Sequence, residues 1–144
     1  FIGLKYFPNQ VKRVKKLSKI FEKSIVITER VSQREAINFN LSSDFLINFT
    51  EDAKGIFAKT YNYIACKKQI LVIPDDNSIL GDLIKKNGLG FTFQTKTELK
   101  KFILKKTNEN IMGKLNTDIN HSLNVDFFKR SRQAKIFSNI ILEL

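Results

Sequence analysis

The chain is short of the residues that most often do chemistry. It has no tryptophan, one cysteine, one histidine, one methionine and two prolines among 144 residues. A single cysteine, Cys66, cannot form an internal disulfide or a cysteine-based metal cluster, and it fits a reducing compartment. The lone His121 sits in an Asn-rich polar stretch with no second histidine near it, so it reads as a surface residue rather than a ligand or base. No apolar run approaches the ~20 residues that span a bilayer, and the opening residues do not read as a secretory leader. Neither a G-x-G-x-x-G nor a G-x-x-x-x-G-K phosphate loop occurs. "NGLGF" contains G-x-G, but it follows a helix and opens a strand, so it reads as a helix stop. No paired carboxylates, nucleophile–base constellation or metal-ligand spacing stands out.

What is present is bulk and positive charge. Thirteen phenylalanines and a hydrophobic content of 42% supply an ordinary soluble core, and the length suits one domain over residues 1–144. The first residue is Phe1, which reads as a piece of a longer polypeptide. Twenty-five basic against 14 acidic residues give a net charge of +11. Such a field attracts anions: nucleic acid, anionic lipid headgroups or nucleotide phosphates.

Along the chain, short strands alternate with helices. "FIGLKYF" (1–7) reads as a strand ended by Pro8-Asn9. Val11, Val14, Leu17, Ile20 and Phe21 recur at helical spacing, with Lys12, Lys15, Lys16 and Lys19 opposite them. "SIVITERV" (24–31) is β-branched and reads as a strand. Ser32 with Glu35 forms a capping box for a helix over 33–41. A strand at 44–49 and a helix near 57–67 follow, then "QILVI" (69–73), whose continuous apolarity marks a strand buried on both faces. Asn77 or Ser78 is expected to cap the next helix, which ends at Asn87-Gly88, and "GFTFQ" (90–94) is a further strand. Thr97 is expected to cap a helix carrying Leu99, Phe102 and Ile103. Residues 107–124 read as a loop with room for one helical turn, and a last helix over about 126–143 places Phe127, Ala134, Phe137, Ile141 and Leu144 on one stripe. The alternation predicts an α/β fold, a Rossmann-like three-layer sandwich around a mostly parallel sheet. Ligands of such sheets bind beyond the carboxyl ends of the strands.

Two stretches could carry function. "TEDAKGIFAKTYNY" (50–63) follows a strand end. Its Gly55 permits close backbone approach, and Lys59 and Asn62 share a helical face. A lysine can meet a phosphate and an amide can bond sugar hydroxyls. The plainer reading is a solvated helix face with two aromatics packed on the sheet. The cationic face of residues 11–21 could track a nucleic-acid backbone. More often such a face is simply solvated, and no aromatic ladder for base stacking accompanies it.

The segment order resembles the C-terminal nucleotide-sugar-binding half of the group 1 type retaining glycosyltransferases, which are built from two Rossmann-like domains. "FIGLKYFPN" is similar to the glycine-ended first strand of that family, "RVSQREAI" to its V-S-x-x-E-A, and "SSDFLINFTED" to its next strand end. "GIFAKTYNYIACKKQILVI" follows the family pattern G-I-x-x-K-x-x-E-Y-x-A-x-x-K-x-I-L most closely. "LIKKNGLGF" and "FFKRSRQAKIFSNIIL" complete the likeness, which covers most of the chain.

The resemblance implies a transferase of polysaccharide biosynthesis. Its substrate would be a nucleoside-diphosphate sugar, with no cofactor and no metal. Gly3 would approach the diphosphate, assisted by Lys5. The turn at Arg30-Val31 would hold the base and Lys59 would lie near the phosphates. Asn62 stands where the family has a ribose-binding Glu, so ribose binding should be weaker or the donor unusual. One strand–helix unit before residue 24 is missing relative to the family pattern. An acceptor-binding N-terminal domain would be the partner, so this portion alone should be inactive and no catalytic residue is assigned. The expected location is cytoplasmic, with the basic charge suiting contact with an anionic membrane surface. The competing reading is a basic α/β module that binds nucleic acid or a protein partner.

Overall fold

The computed structural model describes residues 8–21, 24–50, 55–75, 79–117, 119 and 125–142. Gly3 and Lys5, the strand expected at 1–7, and the expected caps Asn77 and Ser78 lie outside them. The chain divides into two compact units, Phe1–Phe39 and Asn40–Leu144.

In the first unit, helix α1 spans Pro8–Ile20, opened by proline, whose fixed φ suits a first helical position. Helix α2 begins at Gln33 and runs to Leu41. Its expected capping box is present. Glu35 N–H donates to Ser32 Oγ at 3.3 Å, and the Ser32 N–H donates back to the Glu35 carboxylate at 2.8 Å. Those bonds hold the Glu35 carboxyl below its ordinary pKa. The strand expected at 24–31 does not form: the segment reaches only an isolated bridge at Thr28. β-Propensity is realised only where a neighbouring strand supplies a ladder.

The second unit carries a three-stranded sheet in the order β1-β2-β3, with β1 Phe45–Phe49, β2 Gln69–Ile73 and β3 Gly90–Thr92. Both pairings are parallel, with Ile47 beside Leu71 and Leu71 beside Phe91. Helix α3 (Ala58–Ala65) links β1 to β2, and α4 (Ile79–Lys86) links β2 to β3. Helix α5 (Lys96–Ile111) follows β3.

Alternation along β2 sorts the core into two layers, because successive side chains of a strand point to opposite faces. Ile70 and Val72 pack with Ile64 of α3 and with Leu80 and Ile84 of α4. Leu71 and Ile73 pack on the other face with Phe93 and with Leu99 and Phe102 of α5. Ile70, Leu71 and Val72 are fully buried, and each such side chain stabilises the fold by roughly 1.5–3 kcal/mol. This is the three-layer α/β arrangement that the apolar run of β2 implied. Gly90 lets β3 pass close to β2, since a Cβ there would fall on the Ile70 backbone. Among the described residues β1 is an edge strand, and its Ile47 and Phe49 are exposed on one face.

Three element boundaries differ from the sequence expectation. Thr95, not Thr97, caps α5. Its hydroxyl accepts from Glu98 N–H at 3.2 Å, and the Glu98 carboxylate accepts from Thr95 N–H at 3.4 Å. Thr95 has its glutamate three residues on, the spacing a capping box requires, and Thr97 does not. α5 also runs on to Ile111, into the expected loop. Glu109 meets Lys106 at 2.6 Å there, and Thr107 Oγ donates to the Ile103 carbonyl at 2.9 Å. The last helix is broken: a 3-10 turn covers Val125–Phe128, and α6 spans Arg130–Leu142. Among the described residues, no helix is long and apolar enough to cross a membrane.

α3 ends on Cys66, and Lys67 just after it holds φ at +55°. Only glycine takes that conformation without a steric penalty from Cβ. Lys67→Gly should therefore stabilise the protein by about 0.5–1 kcal/mol, read from urea unfolding at constant m-value. An unchanged or lowered midpoint would contradict it.

Candidate functional site at the carboxyl rim of the sheet

A helix that follows a parallel strand starts near that strand's carboxyl end, so α3 begins where the sheet's binding rim lies. The joint is specified by two polar residues in otherwise apolar surroundings. Asn48, next to last in β1, donates from Nδ2 to the hydroxyl of Thr60, third residue of α3, at 3.0 Å. Both residues are fully buried. The bond fixes the first turn of α3 against the carboxyl end of β1.

The other buried polar residues belong to the same rim. Thr50, directly after β1, is fully buried. Its N–H donates to the Ile73 carbonyl at 3.2 Å and its hydroxyl donates to the Pro74 carbonyl. Asp75, two residues past β2, has a nearly buried carboxylate paired with Lys85 of α4. Its N–H donates to the Phe93 carbonyl at 2.7 Å, tying the ends of β2 and β3 together. Gly81 makes room for that carboxylate, since a side chain there would collide with it. Asn48, Thr50, Thr60 and Asp75 are the polar residues buried as a whole among the described residues, with single buried polar atoms also at Thr28 and Gln69. Burying them costs free energy unless partners are supplied, so their gathering at one rim is a built feature. The Asn48 Oδ1 atom is buried with no hydrogen-bond partner among the described residues.

α3 presents its amino end at this rim with no side-chain cap. Phe57, its N-cap, is extended (φ −69°, ψ 141°) and makes no side-chain capping hydrogen bond, while its carbonyl accepts from the Thr60 N–H at 2.9 Å. Uncapped first-turn N–H groups and the helix dipole favour a negative charge there. Lys59 sits in that turn, exposed, with its ammonium 5.3 Å from the Phe57 ring centroid. Protein packed around the amine pulls its pKa below the ordinary lysine value. Asn62 is exposed on the same side of α3, about 4.5 Å further from the rim at 1.5 Å per residue.

The sequence-expected site residues are thus divided. Lys59 and Asn62 share one face of α3. Arg30 and Val31 belong to the first unit, in the irregular segment before Ser32; Arg30 is exposed and Val31 partly buried. Asn48, Thr50, Thr60 and Asp75 escaped the sequence reading. The signal was an asparagine inside the apolar run "FLINF" and an aspartate directly beyond "ILVIP". A concavity bordered by Arg132, Lys135, Ile136 and Asn139 lies on α6 and includes no rim residue. Among the described residues, no cluster of three His, Cys, Asp or Glu side chains comes together as a metal site. Cys66 is buried, and burial raises its thiol pKa.

The Asn48–Thr60 pair can be tested by a double-mutant cycle in urea. Asn48→Leu or Thr60→Val leaves a buried polar group unsatisfied and should cost about 1–3 kcal/mol. The double variant removes both groups, so its loss should fall below the sum of the singles. Simple additivity would show that the two side chains do not act as a pair. No family model, curated protein or solved structure matches the chain, so its function has to be read from the rim itself.

Proposed function

We propose that the chain is the donor-binding half of a glycosyltransferase, taking a nucleoside-diphosphate sugar at the carboxyl rim of its sheet. The observation that carries the reading is the position of Lys59. It is a cation in the first, uncapped turn of α3, and that turn is locked to the end of β1 by Asn48 and Thr60. A diphosphate placed before α3 gains the backbone N–H groups, the helix dipole and the Lys59 ammonium together. Asn62, on the same helical face, would bond a ribose or sugar hydroxyl. As a neutral amide it binds more weakly than a carboxylate would. The parallel sheet and the +11 net charge also support the reading.

In this account the chain orients the donor and screens its diphosphate charge. An acceptor-binding partner domain supplies the remaining catalytic groups. The rim contains no nucleophile–base pair among the described residues, so the chain's contribution is positioning and electrostatic stabilisation of the leaving diphosphate.

A panel of nucleoside diphosphates and their sugar conjugates in a thermal-shift assay tests this. At a hundredfold excess over Kd, one ligand should stabilise the native state by about 2.7 kcal/mol, a shift of several degrees. Lys59→Ala should weaken that ligand about tenfold or more by removing a charge-assisted bond. Asn62→Ala should weaken it less. Neither exposed residue supports the core, so both variants should melt like the parent without ligand. No shift with any nucleotide at millimolar concentration would reject the proposal.

A further inference from the structure

α1 has a surface that the donor site does not use. It carries Lys12, Arg13, Lys15, Lys16 and Lys19 and no acidic residue. At 100° per residue, Lys12, Lys15, Lys16 and Lys19 fall within an arc of about 100°. Val11, Val14, Leu17 and Ile20, with Phe21 just beyond, occupy the other side, where Arg13 falls between Ile20 and Leu17 and Gln10 between Leu17 and Phe21. Phe21 continues the helical turn, its N–H donating to the Leu17 carbonyl at 2.9 Å. Leu17, Ile20 and Phe21 are 47%, 64% and 53% exposed. Three large apolar side chains therefore stand in water beside a row of cations.

We propose that α1 lies in the plane of an anionic lipid bilayer. Its lysines would meet headgroup phosphates, and Leu17, Ile20 and Phe21 would enter the acyl boundary. The two halves of the helix select this occupant together. A nucleic-acid backbone satisfies the cations and leaves the apolar side chains hydrated, whereas an anionic bilayer takes both. At 13 residues, α1 falls short of the ~20 needed to span a membrane, so it lies along the surface rather than across it. The proposal is independent of the donor-site reading, because it rests on α1 alone.

The test uses the whole chain with phosphatidylcholine vesicles, and with vesicles of equal parts phosphatidylcholine and phosphatidylglycerol. The chain contains no tryptophan, so Phe21→Trp gives an emission signal from this position alone. The emission should shift to the blue on the mixed vesicles and not on the neutral ones. Each of Lys12→Gln, Lys15→Gln, Lys16→Gln and Lys19→Gln should weaken co-sedimentation about fivefold. The double variant Leu17→Gln/Ile20→Gln should weaken it at least about tenfold. Far-UV circular dichroism checks that these variants fold, and where one does not, the Phe21→Trp emission decides. The proposal is overturned by an unshifted emission, by equal binding to both vesicle types, or by a folded Leu17→Gln/Ile20→Gln variant that binds like the parent. It is also overturned if RNA at equal phosphate displaces the chain from the mixed vesicles, or if neutralising Arg130, Arg132 and Lys135 of α6 abolishes binding while the α1 lysine variants do not.

Discussion

The hydrogen bond between Asn48 and Thr60 is the constraint on which the candidate site depends. An isolated eight-residue helix such as α3 is not stable by its own propensity. Apolar packing of Ile64 holds it to the sheet, but packing alone tolerates sliding by a fraction of a turn. A directional bond from a buried amide to a buried hydroxyl does not. It fixes which residues of α3 occupy the first turn, and so where Lys59 and the uncapped N–H groups stand relative to the strand ends. Without partners these side chains would be expensive to bury, so the bond specifies position as much as it stabilises.

The apolar core and the polar rim divide the work along each strand. Ile70, Leu71 and Val72 bury both faces of β2 and supply stability. One or two residues further on, the chain changes character: Thr50 bonds the Pro74 carbonyl, and Asp75 pairs with Lys85 while its N–H holds the end of β3. Strand ends linked in this way form a rigid edge on which a ligand's charged group can be placed without reordering the fold. Lys59 contributes the part that needs solvent access. Its ammonium is partly enclosed by neighbours, the Phe57 ring among them, and enclosure strengthens its interaction with an anion relative to a fully hydrated lysine.

Most of the fold was legible in the sequence because its strongest signals are local. The unbroken apolarity of "QILVI" dictated a strand covered on both faces, and the Ser32–Glu35 spacing dictated the start of α2. The misreadings have physical causes. Residues 24–31 have the composition of a strand, yet pairing depends on a neighbour that composition does not reveal. Residues 107–111 carry weak periodicity because Thr and Asn are poor helix formers, and the one helical turn the sequence allowed there is the last turn of α5, where Lys106 pairs with Glu109. The site was half legible. Lys59 and Asn62 stand out as polar residues on an amphipathic helix. Asn48 and Thr60 are informative only as a pair, and nothing local joins residues twelve apart across a strand–helix turn.

The central claim is that the amino end of α3, held by Asn48 and Thr60, receives an anionic group. Amide chemical shifts recorded while a nucleoside diphosphate is titrated into the isotope-labelled chain test it most directly. The account predicts saturating changes centred on the Ala58 and Lys59 backbone amides and on the Asn48 side-chain amide, persisting at physiological salt. Changes confined to the lysine-rich faces of α1 and α5 and abolished by salt, with Ala58, Lys59 and Asn48 unmoved, would contradict it.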